Sequence, residues 1–163
     1  MNSLAIVARI EADCPLPSAH LDSPYLTRLE KILVDVIDAL WPVIPYLVSS
    51  RILSEKSIPY FNETRQEEAG MPLQRFYLEG IETAWNESKT PLSAIASMLR
   101  ETDGPFFMGE TVSYADFVFA GVLLFFQRSG DDQFSKLLEA SGDEGKAFNA
   151  LLLAVTPWSA RDS

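Results

Sequence analysis

The sequence predicts an all-α fold, on three observations. Apolar residues recur at three- and four-residue spacing along most of the 163 residues. No stretch alternates apolar and polar residues for long enough to make a strand. Proline, glycine and serine fall between the periodic segments, where helices start and stop. Apolar residues make up 47% of the chain and charged residues 22%, so a core can form without disulfides. The length suits one domain.

The elements follow in order. Ser3–Asp13 reads as a first helix with Leu4, Ile6, Val7 and Ile10 as its apolar positions, ended by Pro15 and Pro17. Pro15, Pro17 and Pro24 mark a linker. Residues 24–53 read as one long helix capped by Asp22 or Ser23, with Leu29, Ile32, Leu33, Val36, Ile37, Leu40, Trp41, Ile44, Leu47, Val48 and Ile52 on its buried stripe. Pro42 and Pro45 should kink it beside Trp41. Residues 60–69 form a polar helical segment ending at Gly70, and residues 72–87 an amphipathic helix. Thr90-Pro91 is expected to open a separate helix, closed near Gly104. Residues 111–128 are apolar nearly all round, as in the centre of a bundle. Residues 133–140 and 143–155 close the fold, with Pro157 ending the last helix.

Charge narrows the function. Thirteen lysines and arginines against 23 aspartates and glutamates give a net charge of −10. A nucleic-acid binder carries the opposite sign, and so does a surface that docks on anionic lipid. The single cysteine, Cys14, allows no internal disulfide, and with one histidine, His20, it leaves no Cys/His metal cluster. Cys14 is expected to pack at the end of the first helix and His20 to be solvated in the linker. The longest apolar run, residues 117–126, is too short to span a bilayer, and no basic region precedes an apolar stretch at the N-terminus. The cytoplasm is the expected compartment.

Ser113-Tyr114-Ala115-Asp116 fits a capping box with Asp in place of the usual Glu. The Ser113 hydroxyl would accept from the Asp116 N–H, and the Asp116 carboxylate would reach back to the Ser113 N–H. Val112 and Phe117 stand at the staple positions. A satisfied cap explains Asp116 as a structural residue rather than a catalytic acid. Arg65, Glu67 and Glu68 read as a polar helix surface.

Gly109, followed by Ser113-Tyr114-Ala115-Asp116-Phe117 at the head of an apolar helix, resembles the signature of the glutathione transferase C-terminal domain. Residues 60–70, Tyr-Phe-Asn-Glu-Thr-Arg-Gln-Glu-Glu-Ala-Gly, with Pro72-Leu73 after them, resemble the matching segment of bacterial β-etherases and their fungal relatives. Asn2-Ser3-Leu4-Ala5-Ile6 is similar to the acidic residue–Ser–x–x–Ile run at the end of that family's thioredoxin-like half, with Asn2 where an acidic residue is usual.

The resemblance implies residues 1–15 as the remnant last helix of a thioredoxin-like domain, 16–24 as linker and 25–163 as the helical domain. It implies glutathione as co-substrate, with Ser3 and Asn2 at its γ-glutamyl end. It implies a hydrophobic or aromatic co-substrate, with Trp41, Ile44 and Tyr46 on the pocket wall near the proline kink. The reaction would be attack of the glutathione sulfur on an aromatic or aryl-ether electrophile. The thiolate-stabilising residue belongs to the half that this sequence lacks, so no catalytic residue and no metal ligand is expected here, and the isolated chain is expected to be inactive. A homodimer or other self-association is also implied. The competing expectation is a non-catalytic carrier of aromatic ligands or a protein-interaction module.

Overall fold

In the computed structural model, which describes residues 3–159, every regular element is a helix. Among the described residues there is no strand; two isolated bridges, Phe106 to Gly109 and Met108 to Thr111, fold one loop. The all-α expectation holds.

Helix α1 spans Ser3–Asp13. Leu4 packs on the edge of the core, but Ile6 and Ile10 are 45% and 57% exposed. Cys14 is also exposed, contrary to the packing role expected of it. His20, expected to be solvated, is half-buried. Helix α2, Pro24–Ala39, begins where Ser23 supplies the cap: its hydroxyl accepts from the Tyr25 N–H at 3.3 Å, and Pro24 fills a position that needs no donor. Leu26, Leu29, Leu33 and Val36 form its buried stripe; Ile37, expected on that stripe, is 46% exposed because no described helix covers that edge.

The long helix expected over residues 24–53 is broken rather than kinked. A turn at residues 40–43 separates α2 from α3, Ile44–Leu47, which runs on into a π-helical turn, Val48–Ile52. The two segments are bent by 76°. Pro42 and Pro45 cannot donate to the preceding turn, which removes the bonds that would carry one helix through. The break is seated on the next long helix at Gly80, where a Cβ would lie 2.6 Å from the Pro42 Cβ. Helix α4, Ile58–Ala69, has no buried residue and ends at Gly70 in the left-handed conformation, φ 69°.

Helix α5 runs unbroken from Leu73 to Leu99, with Pro91 inside it. The separate helix expected at Thr90-Pro91 does not exist. Pro91 removes one backbone bond, but Ala84, Ser88, Leu92, Ile95 and Leu99 hold one buried stripe across it. Helix α5 packs mainly on α2 and α7.

Helices α6 (Tyr114–Ser129), α7 (Asp131–Ala140) and α8 (Lys146–Ser159) complete the bundle. Helix α8 starts later than residue 143 because Asp143 caps it, accepting from the Ala147 N–H at 3.1 Å. It also continues through Pro157, which therefore does not end it. Trp158 in that last turn meets the rings of Phe106 and Phe117 edge-on at 6.4 and 5.8 Å.

The core centres on α6. Phe119 meets Phe148 edge-on at 4.9 Å and Phe107 at 6.3 Å, all three fully buried. The expectation that this helix, apolar nearly all round, lies in the centre of a bundle holds for one face only. Phe117 and Leu124 are each 38% exposed, and Gly121 between them is exposed too.

Candidate functional site

The start of α6 is held by a buried set of hydrogen bonds. Ser113 is extended (φ −134°, ψ 171°) and the Ser–x–x–Asp capping box is present, with the Asp116 N–H donating to the Ser113 carbonyl at 3.2 Å. Asp116 Oδ2 accepts from the Ser113 N–H at 2.7 Å and from the Ser113 hydroxyl at 2.8 Å. Its other oxygen accepts from the Phe107 N–H at 2.8 Å, a bond that links the preceding loop to the helix start. Asp116 is fully buried, and burial pushes its carboxyl up against the pull of these donors. Three internal donors satisfy it, which makes it a structural carboxylate.

The same helix start is tied to the linker. The Tyr114 N–H donates to the Ala19 carbonyl at 2.8 Å. Glu11 of α1 accepts from the Ser18 hydroxyl at 2.6 Å and from the Ala19 N–H at 2.8 Å. The Ser18 bond holds the Glu11 carboxyl below its ordinary range, with the Ala19 N–H helping. One polar thread therefore runs from α1 through the linker to the capping box.

At the other end of α6, Arg51 from the π-helical turn donates to the Ser129 carbonyl at 2.6 Å and grips Asp132 at 2.5 and 3.1 Å. That grip, with a bond from Gln133, holds the Asp132 carboxyl far below the usual carboxylate range. Gly130 makes room for it, since a Cβ there would lie 2.5 Å from the guanidinium.

Between these two fixed ends, α6 and α2 enclose an apolar groove of about 320 Å³. Its α2 side is Leu33, Val36, Ile37 and Leu40, with Ile44 beyond the break; its α6 side is Val118, Gly121, Val122, Phe125 and Phe126. No lining residue carries a charged or polar side chain. Exposed Phe117 and Leu124 on α6 and exposed Val34 on α2 extend the apolar surface. Such a concavity takes apolar matter and offers a tripeptide's carboxylates nothing to bond.

Of the expected pocket residues, only Ile44 lines this groove. Trp41 is half-buried in the turn at residues 40–43. Tyr46 stacks on Tyr77 with ring centroids 4.3 Å apart, a contact internal to the bundle. Asn2, and the side chain of Ser3, lie outside the described residues. Sequence reasoning missed Ile37, Val118, Gly121 and Val122. Their signal was present: both helices carry apolar residues beyond the width of the stripe that their own neighbours bury. Among the described residues no group of His, Cys, Asp or Glu is arranged to hold a metal ion. No single described helix is long and apolar enough to cross a membrane; α2 and the α3 segment pass that test only as a bent pair.

An all-helical bundle whose central helix opens on a buried Ser–x–x–Asp box belongs to a known class. Residues 30–151 match the family described as glutathione S-transferase, C-terminal domain, and the chain belongs to that family. It is also similar to a glutathione S-transferase-like protein, ustS, of Aspergillus flavus, with 26% identity over 174 residues. The match takes in 97% of this chain and 60% of that relative, so the chain spans less than two thirds of the relative's length.

Proposed function

We propose that this chain is the helical half of a glutathione transferase-like protein of the β-etherase-like branch. In this reading the α2–α6 groove forms one wall of the site for an apolar aromatic or aryl-ether co-substrate. The observation that carries it is the groove's wholly apolar lining, set within the stretch that matches the family. Residues 25–163 would be the helical domain, 16–24 the linker and 1–15 the last helix of a thioredoxin-like half. The length of the relative beyond the matched region is consistent with such a half.

Glutathione itself does not fit the groove, because its two carboxylates and its ammonium would meet only hydrocarbon there. In this reading glutathione lies against the thioredoxin-like half, with Ser3 and Asn2 at its γ-glutamyl end and Ile44 on the co-substrate side. Formation of the thiolate, the step that makes sulfur a nucleophile, falls to that half. The residues of this chain bind and orient the electrophile and keep water from its apolar surface.

Two measurements test this. Met1–Ser163 should give no conjugation of glutathione to an aryl halide above the buffer rate; turnover by the pure chain would overturn the division of labour. The chain should also bind the neutral fluorophore N-phenyl-1-naphthylamine saturably, with displacement by a β-aryl ether. Ile37→Asp places a charge on the exposed rim of the groove and should weaken that binding at least tenfold. A wild type with no saturable binding, or an Ile37→Asp variant that binds equally well, would overturn the assignment of the groove.

A further inference from the structure

A flexible spacer between domains leaves its polar groups to water. Residues 18–23 turn theirs to the helices around them. The Ala19 N–H donates to Glu11 of α1 at 2.8 Å, and the Ala19 carbonyl accepts from the Tyr114 N–H of α6 at 2.8 Å. One residue therefore bonds a helix on each side. The Ser18 hydroxyl donates to Glu11 at 2.6 Å and accepts from the His20 N–H at 3.1 Å. The backbone turns at His20 (φ 53°), and the His20 carbonyl accepts from the Ser23 N–H at 3.0 Å. Ser23 in turn caps α2. Apolar packing accounts for little of the placement of α1. Leu4 rests on the edge of the core near the start of the helix, while Ile6 and Ile10 face away from it. Glu11, at the other end, makes the bonds that join α1 to the linker.

We propose that residues 18–20, gripped by Glu11, form a preformed joint that fixes the orientation of α1 on the bundle, with Glu11 as its positioning residue. The consequence rests on the reading of residues 1–15 as the last helix of a second half. It goes beyond that reading, because the angle between the two halves is then set within this chain, before the second half adds a contact. A joint of this kind lowers the ordering cost of whatever packs on the exposed face of α1. The geometry says how Glu11 does it. Both bonds fall on one carboxylate oxygen, Oε1. A glutamine carbonyl at the same reach can accept both donors. An aspartate carboxylate keeps the charge but stops one methylene short.

Cys14, exposed at the end of α1 and the sole cysteine of the chain, takes a fluorophore without further mutation. Time-resolved anisotropy of that label and amide hydrogen exchange are measured on wild type, Glu11→Ala, Glu11→Asp and Glu11→Gln. In the wild type the label should turn with the whole chain. In Glu11→Ala and Glu11→Asp it should gain a segmental motion on the nanosecond scale, and the amides of Ala19 and Tyr114 should exchange about tenfold faster. Glu11→Gln should match the wild type in both readouts. Circular dichroism checks that the bundle stays folded in each variant. Should Glu11→Ala unfold, Ser18→Ala removes one of the two bonds without touching α1 and should show the same changes to a smaller degree. Segmental motion already present in the wild type would overturn the joint. So would a folded Glu11→Ala, or Ser18→Ala in its place, that behaves as the wild type does. If Glu11→Asp holds α1 and Glu11→Gln frees it, charge rather than reach places the helix, and the proposal fails. These readouts are independent of probe binding in the groove and of glutathione conjugation, so the joint and the reading of the groove can fail separately.

Discussion

The inner and outer faces of α6 are built from the same kinds of residue and meet opposite surroundings. Ala115, Phe119, Ala120, Leu123 and Phe126 point inward and are buried against α2, α7 and α8. Phe117, Gly121 and Leu124 lie on the other side and stay open to solvent, with Val118, Val122 and Phe125 between. Hydrophobic burial is a property of the neighbours and not of the residue. A helix that is apolar all round therefore needs neighbours all round, and among the described residues its outer side meets only the edge of α2 and Trp158 of α8. The inner face is explained by folding. The outer face needs an occupant, and it is where the proposed co-substrate wall is placed.

The largest expected effect separates the two faces directly. Phe119→Ala removes a fully buried ring that touches Phe148 and Phe107, and should destabilise the domain by about 3–5 kcal/mol. Phe117→Ala removes a ring that is partly exposed and touches Trp158, and should cost about 1 kcal/mol. Urea unfolding of both variants measures the difference. Equal losses would mean that the outer face is packed within the chain, and the comparison would fail.

The next effect tests the anchor of the inner face. Asp116→Ala strands three donors at a buried helix start, the N–H groups of Phe107 and Ser113 and the Ser113 hydroxyl, and should cost about 2–3 kcal/mol. Ser113→Ala should cost about 1 kcal/mol, and the double variant less than the sum, because both mutations break one network. Strictly additive losses would remove the capping box as a unit.

A smaller effect appears in the pH dependence, with two signs. Burial raises the Asp116 carboxyl above its unfolded value near pH 4, so the folded chain keeps that proton to higher pH. Its contribution is complete below about pH 4 and declines as pH rises through the raised value. The surface acids behave oppositely. Arg28 lowers Glu101, and Arg51 lowers Asp132, so their contributions are present above about pH 4 and are lost as pH falls. Both pairs are largely exposed, so each shift is small in stability terms. The wild-type urea midpoint should fall on acidification from pH 5 to 3, and less so in Asp132→Asn. Asp116→Asn should gain on the wild type as pH rises above about 4. A constant difference between the two across that range would contradict the raised carboxyl.

How much of this was legible in the sequence divides along the same line. The capping box was readable because Ser113 and Asp116 are three residues apart, and helix geometry fixes what that spacing does. The α2 stripe was readable for the same reason. The break after Ala39 was half readable: Pro42 and Pro45 marked its place, but the 76° turn depends on Pro42 seating at Gly80 of a distant helix. Pro91 and Pro157 misled, because tertiary packing on both sides of a proline decides whether a helix continues through it. Trp41 and Tyr46 were singled out for being aromatic beside a kink. The groove instead uses Ile37, Val118 and Gly121, which the excess width of the apolar faces signals but which only the placement of α2 beside α6 brings together.

The smallest expected effect on stability concerns α1, and it sharpens the comparison by setting a third apolar face beside the two of α6. Ile6 and Ile10 are more exposed than Phe117, so removing them should leave the bundle intact. The Ile6→Asp, Ile10→Asp double variant should change the urea midpoint by less than about 0.5 kcal/mol equivalent, because the buried stripe of α2 is untouched. If the exposed face of α1 drives association between copies, the same variant should shift a concentration-dependent oligomer toward monomer in sedimentation velocity. Helix α1 is tied to the linker through Glu11, whose carboxylate bonds Ser18 and Ala19 next to the carbonyl that accepts from Tyr114. Glu11→Ala should therefore increase amide hydrogen exchange in α1 and the linker without altering exchange in α6 beyond its first turn. If the double aspartate variant unfolds the domain, α1 belongs to the core and its exposed isoleucines have been misread. If it folds and associates as the wild type does, the outer face of α6 is the better candidate for contact between copies, and Gly121→Leu becomes the variant that decides.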